Sequence, residues 1–122
     1  MPVRLKLRIG VTLALTVTGA SAQSTWQHGA DLLSSGAAAS VVAYYLCEGQ
    51  SSGDAAGQRT RNRLAASAAR MGASAEVADI QQYLYDATNL KIKAFWQAHV
   101  DQGCDGIQQL RYLAQGVGFD TP

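Results

Sequence analysis

Apolar residues recur every three or four positions from Trp26 onward, which is the spacing of one face of an α-helix. Within Gly36–Cys47 (GAAASVVAYYLC) the apolar character spreads around the whole helix. A helix that is apolar on all sides has to be enclosed by its neighbours. We therefore expect this segment to be the buried helix of the domain. The positions that define the first face are Trp26, Ala30, Leu33, Ala37, Val41 and Tyr44.

A cluster of glycine and serine, Gly49–Gly53 (GQSSG), has the composition of a loop, and Asp54 follows at a position suited to a helix N-cap. The pattern then predicts a second helix from about Ala55 to Met71. Gly72 is expected to end this helix, because glycine is the commonest residue just past a helix C-terminus. Ser74 is the predicted cap of the next helix.

The third and fourth helices are also predicted from apolar spacing. The third begins near Ala75 and extends to about Gln102. Although Asp86–Asn89 has low helix propensity, the apolar face continues beyond it, and we expect one long helix. The fourth helix follows Gly106. The inward positions are Val77, Ile80, Leu84 and Ala87 on the third helix and Ile107, Leu110, Leu113 and Val117 on the fourth.

The N-terminus has the three parts of a secretory signal peptide. A basic region with Arg4, Lys6 and Arg8 precedes an uncharged apolar stretch, and Ala20-Ser21-Ala22 forms a small-residue cleavage site. The alternative, a transmembrane anchor, needs roughly 20 apolar residues, about twice the length of this stretch. The sequence therefore predicts a signal peptide at residues 1–22, one domain at residues 23–122, and a periplasmic or secreted location.

Cys47 and Cys104 are the only cysteines. In an exported chain an even number of cysteines predicts a disulfide, whereas a metal-binding or reactive thiol pair would need closer Cys or His spacing. A bridge requires the end of the first helix to lie beside the start of the fourth, and an up-down arrangement of four helices meets this requirement. The predicted fold is all-α, a small bundle of three to four helices tied by one disulfide.

Composition and motifs exclude several kinds of function. Residues 23–122 carry seven basic and nine acidic side chains, a net charge of −2, which does not favour nucleic-acid binding. His28 and His99 belong to no metal-binding motif, and no nucleophile or phosphate-loop motif is present. We therefore predict no catalytic residue, no metal ligand and no cofactor, and a protein that is not an enzyme.

Two surface features remain as candidates for partner binding. Arg59, Arg63 and Arg70 fall within about 40° of one another on the second helix and form what we call the arginine strip. The alternative is an ordinary solvated helix face. Tyr85 and Trp96 form part of a second apolar and aromatic side of the third helix, for which the alternative is contact with two neighbouring helices.

A rigid scaffold with such a surface and no active-site motif favours a non-enzymatic protein-interaction module, of the inhibitor, immunity or chaperone-like kind. The expected partner is another exported or envelope protein, with no stable membrane span in the chain after the leader is removed. The alternative is a periplasmic carrier that holds a small apolar ligand in a pocket between helices, lined by Tyr44, Tyr45 and Trp96.

Overall fold

The structure is a computed structural model that describes residues 26–122. Within this range it contains four α-helices, two short 3-10 helices and no strand, which confirms the predicted all-α class. The predicted signal peptide lies outside the described residues. The α-helices are α1 (Trp26–Glu48), α2 (Gln50–Met71), α3 (Val77–His99) and α4 (Gln108–Gly116), and the 3-10 helices are Ser74–Glu76 and Val100–Gly106.

Helix α1 lies at the centre of the fold, as its apolar pattern predicts. Every residue from Gly36 to Ala43 is buried, whereas Tyr44 to Cys47 are half-buried. The small side chains of this segment let neighbouring helices approach closely. At Gly36 an added Cβ atom would lie 2.1 Å from Val117 Cγ2, because the end of α4 packs directly on the α1 backbone. Larger side chains complete the core, with Leu64, Ile80, Leu84 and Leu110 contributed by the other helices and Phe119 by the segment after α4.

Contacts between side chains define an up-down-up-down order of the four helices. Tyr83 donates a hydrogen bond to Asp31 near the start of α1, and Trp96 packs on Tyr45 near its end, so α3 runs parallel to α1. Gly53 at the start of α2 contacts Tyr45, and Met71 at its end contacts Gly29, so α2 runs antiparallel.

The predicted disulfide is confirmed. Cys47 Sγ and Cys104 Sγ are 1.95 Å apart, with the two Cα atoms separated by 4.5 Å. The bridge joins the end of α1 to the 3-10 segment before α4, which places α4 antiparallel to α1.

The prediction of a loop over Gly49–Gly53 is wrong. The turn consists of Gly49 alone, in the left-handed conformation with φ 94°, and α2 begins at Gln50 rather than near Ala55. Gly53 is buried against the Tyr45 ring, where an added Cβ would lie 2.2 Å from two ring carbons. This glycine therefore permits close helix packing and does not break the helix. Asp54 accepts a hydrogen bond from the Tyr45 hydroxyl and caps no helix.

Helix α3 is continuous through Asn89, as expected, but its ends differ from the prediction. A 3-10 turn precedes it, so the α-helix begins at Val77. Glu76 is the residue that caps this turn, since its Oε1 accepts a hydrogen bond from the Ala73 N–H at 2.8 Å, and Ser74 makes no side-chain cap. After His99 the chain tightens into the second 3-10 segment instead of continuing as α-helix to Gln102.

Helix α1 is the one helix among residues 26–122 that is long and apolar enough to cross a membrane by length and composition. From the sequence, the apolar run Gly36–Cys47 is shorter than the roughly 20 residues that cross a bilayer, but the observed helix has 23 residues. In the most apolar 18-residue stretch of α1, 56% of the residues are buried inside the fold, as expected for a core helix.

Candidate functional site

The outer surface of α2 carries four exposed arginines, Arg59, Arg61, Arg63 and Arg70. No acidic residue occurs between Ala55 and Met71. At 100° per residue the arginine strip lies along one edge of this surface and Arg61 lies along the opposite edge, beside α3. The two edges therefore present positive charge to different neighbours.

Three of the four guanidinium groups lie over aromatic rings. The distances from the guanidinium carbon to the ring centroid are 5.2 Å for Arg59 over Tyr44, 4.4 Å for Arg61 over Tyr85 and 4.0 Å for Arg63 over Phe119. Stacking of this kind is attractive and restricts the long arginine side chain.

Arg63 has a second role, because it holds the C-terminal segment against the bundle. Its guanidinium donates to the Gly118 carbonyl at 2.5 Å and to the Val117 carbonyl at 3.2 Å. The same segment is held by Ser40, which donates to the Asp120 carbonyl at 2.6 Å, and by Tyr44, which donates to Asp120 Oδ2 at 2.5 Å. The hydrogen bond to Asp120, followed by burial, raises the pKa of the Tyr44 hydroxyl.

The five residues predicted for partner binding do not form a single surface. Arg59, Arg63 and Arg70 share the strip, and Arg70 donates to Ser67 Oγ within α2 at 3.3 Å. Tyr85 contacts Arg61 on the opposite edge of α2. Trp96 lies at the disulfide end, where its ring packs edge-on against Tyr45 with centroids 6.4 Å apart.

The disulfide end of the bundle carries an apolar surface groove of about 440 Å³. Tyr45 and Trp96 line it together with Val42, Gln50 and Ile92. Tyr44, which was expected to share this lining, instead faces Arg59 and Asp120. The predicted apolar pocket is therefore present in part, as an open groove rather than an internal cavity.

A second concavity, which we call the α2–α3 pocket, has a volume of about 230 Å³ and a different character. Its apolar floor consists of Val41, Leu64 and Ile92, whereas its walls are mostly polar side chains of α2 and α3, including Arg61 and Tyr85. Sequence reasoning missed this pocket, because its residues belong to two faces that meet only after the helices pack.

Two further features also depend on tertiary contacts. Lys91 donates to the Asp31 carbonyl at 2.9 Å and to Ser34 Oγ at 2.7 Å, and its partial burial lowers the pKa of its ammonium group. Leu32 and Tyr112, which lie outside the apolar faces predicted from spacing, line an apolar groove between α1 and α4.

Among residues 26–122 no three His, Cys, Asp or Glu side chains lie close enough together to bind a metal ion. Arginine and amide groups next to aromatic rings are suited to binding carboxylates, and α2 carries both kinds of group. Comparison of the chain with protein-family models, with curated proteins and with solved structures gave no match.

Proposed function

We propose that the protein is an exported, non-enzymatic interaction module that binds an acidic partner protein through the arginine strip. The observation that carries the proposal is the concentration of positive charge on α2. This helix has four arginines and no acidic residue from Ala55 to Met71, in a domain of net charge −2. Three of the four share the arginine strip, and a concentration of positive charge of this kind favours association with a negatively charged surface.

The stacked arrangement of the strip supports this proposal. A free arginine side chain loses rotamer freedom when it binds, whereas Arg59 is already restricted by Tyr44 and Arg63 by Phe119 and two backbone carbonyls. Arginine is also enriched at protein interfaces, where its planar group pairs with carboxylates in a bidentate manner.

The proposed exported location rests on the leader pattern at residues 1–22 and on the Cys47–Cys104 bridge. Disulfides persist in the periplasm and outside the cell, whereas the cytosol keeps thiols reduced. The proposed partner is accordingly another exported or envelope protein.

The test removes one positive charge at a time, either from the arginine strip or from a control position on α3. Protein comprising residues 23–122 is used to isolate its partner from the exported fraction, and affinity is then measured at low and at moderate salt. We expect Arg59→Gln and Arg70→Gln each to weaken binding by about two- to fivefold at low salt, the range for one exposed ion pair. The salt dependence should become shallower, because part of the screened attraction is gone. Arg63 is left unchanged, since its loss would also release the C-terminal segment.

The matched control is Lys93→Gln, which removes one exposed positive charge from α3. This variant should bind as the wild type does. If Arg59→Gln and Arg70→Gln retain the wild-type affinity and salt slope, or if Lys93→Gln weakens binding equally, the arginine strip is not the interface.

A second candidate function is carriage of a small apolar ligand, which the groove at Tyr45 and Trp96 favours because its volume of about 440 Å³ falls in the range of ligand sites. In this case a fluorescent hydrophobic probe such as anilinonaphthalene sulfonate should bind saturably, and Trp96→Ser should abolish that binding. Saturable binding that is unchanged in Trp96→Ser would place the probe elsewhere and remove the support for a carrier.

A further inference from the structure

Gly57 lies inside α2 at the edge of the α2–α3 pocket, where glycine has no packing role. An added Cβ atom would meet no other atom within 4 Å, so alanine fits there without a clash. Glycine is the least favourable residue after proline in a helix interior. Gly53, four residues earlier in the same helix, is needed for packing on Tyr45, and Gly57 is not. The missing side chain at Gly57 instead leaves space in the pocket.

Thr88 lines the same pocket from α3 and is also unfavourable for the fold alone. Its side chain is 4% exposed, and Thr88 Oγ1 has no hydrogen-bond partner among residues 26–122. A buried hydroxyl without a partner destabilises a protein, and a valine of the same shape would avoid that cost. Thus two facing helices each contribute a residue that weakens the fold and borders the same cavity.

The remaining polar groups of the pocket determine which chemistry it can bind. Arg61 is held over the Tyr85 ring, and Gln58 and Asn89 contribute side-chain amides. No acidic residue belongs to the lining. A guanidinium group binds a carboxylate strongly, and side-chain amides both donate to and accept from hydroxyl or amino groups.

We propose that the α2–α3 pocket binds a small carboxylic acid that also carries hydroxyl or amino groups. Arg61 binds the carboxylate, and Gln58 and Asn89 bind the polar groups. The pocket volume of about 230 Å³ is below the range of drug-sized sites and corresponds to a molecule of amino-acid size. This inference goes beyond the proposed function, because the pocket lies on the opposite edge of α2 and uses no residue of the arginine strip.

In the first experiment each probe is titrated into protein comprising residues 23–122, and binding is monitored by the backbone amide NMR shifts. The probes are L-lactate, L-serine and L-glutamine, each compared with its primary amide, which lacks the carboxylate. We expect saturable shifts for at least one acid at residues 57–61 and 85–89, with much weaker shifts for the matching amide. The proposal is overturned if none of the acids gives saturable shifts there, or if an acid and its amide bind equally.

The second experiment separates a binding role from a structural one. Arg61→Gln should lower the affinity for the acid about ten- to hundredfold, as expected for loss of a charge-assisted contact. Gly57→Ala should weaken binding as well, because the added methyl group takes up space in the pocket, yet it should raise the melting temperature by about 4 °C, since the helix gains a better residue. Residues that serve only the fold would not give opposite changes in binding and stability.

Arg59→Gln is the control, because Arg59 lies on the other edge of the same helix. It should leave affinity for the acid unchanged, so the pocket and the strip are tested independently. Wild-type affinity in Arg61→Gln, or equal weakening by Arg59→Gln, would contradict the assignment of the carboxylate to Arg61.

Discussion

Replacing both Cys47 and Cys104 by serine is expected to lower the free energy of unfolding by about 2–5 kcal/mol. The two residues are 57 positions apart, and closing a loop of this length removes much of the conformational freedom of the unfolded chain. The chain-entropy model places this effect near 4 kcal/mol, a large share of the roughly 5–15 kcal/mol that stabilises a domain. Urea denaturation followed by circular dichroism measures the change.

Reduction of the wild-type protein provides the matched control for this prediction. Wild type with a reductant should unfold at the same urea concentration as the double serine variant, since both lack the same cross-link. Free-thiol labelling of the unfolded, unreduced protein should detect no thiol. A double serine variant as stable as the oxidised wild type would show that the bridge contributes nothing to the fold.

Gly53→Ala is expected to destabilise the protein by about 2 kcal/mol, even though alanine is the better helix former. An alanine Cβ at this position would lie 2.2 Å from the Tyr45 ring, well inside van der Waals contact. The ring is fixed by its hydrogen bond to Asp54 and its contact with Trp96, so its displacement disturbs both. Overpacking of this kind costs about 1–3 kcal/mol or more, which exceeds the helix-propensity gain of up to about 1 kcal/mol.

Gly57→Ala is the matched control, because it makes the same change one helical turn later. Nothing lies within 4 Å of the added Cβ atom, so this variant should be more stable than the wild type by about 0.5–1 kcal/mol. Both free energies come from the same urea titration. If the two variants change stability in the same direction, the close approach of Tyr45 to Gly53 does not limit the packing of α2.

The helices and the disulfide could be predicted from the sequence because both depend on local or strongly constrained features. Apolar spacing located α1 and α3. The leader pattern indicates an oxidising location, and with two cysteines in the chain one disulfide is the expected result. Local composition did not distinguish Gly49, which forms the turn through a positive φ, from Gly53, which permits close packing. That distinction depends on where Tyr45 lies, which is tertiary information.

The candidate sites were predicted only as far as a single helix can define them. Helical spacing placed Arg59, Arg63 and Arg70 on one edge of α2. The stacking of Arg63 on Phe119 joins residues far apart in the chain, and no local signal indicates it. The α2–α3 pocket was missed for the same reason, since Gly57 and Thr88 come together only when two helices pack.

The alanine-rich centre of the bundle has a consequence for the response of the protein to temperature. Eight of the sixteen buried apolar residues among positions 26–122 are alanine, which removes little apolar surface from water when it is buried. The heat capacity of unfolding rises with the apolar area exposed, by about 0.45 cal/K/mol for each Å². We therefore expect a heat-capacity change below the usual value of about 12–15 cal/mol/K per residue. The stability curve should be correspondingly flat, with cold denaturation displaced to lower temperature.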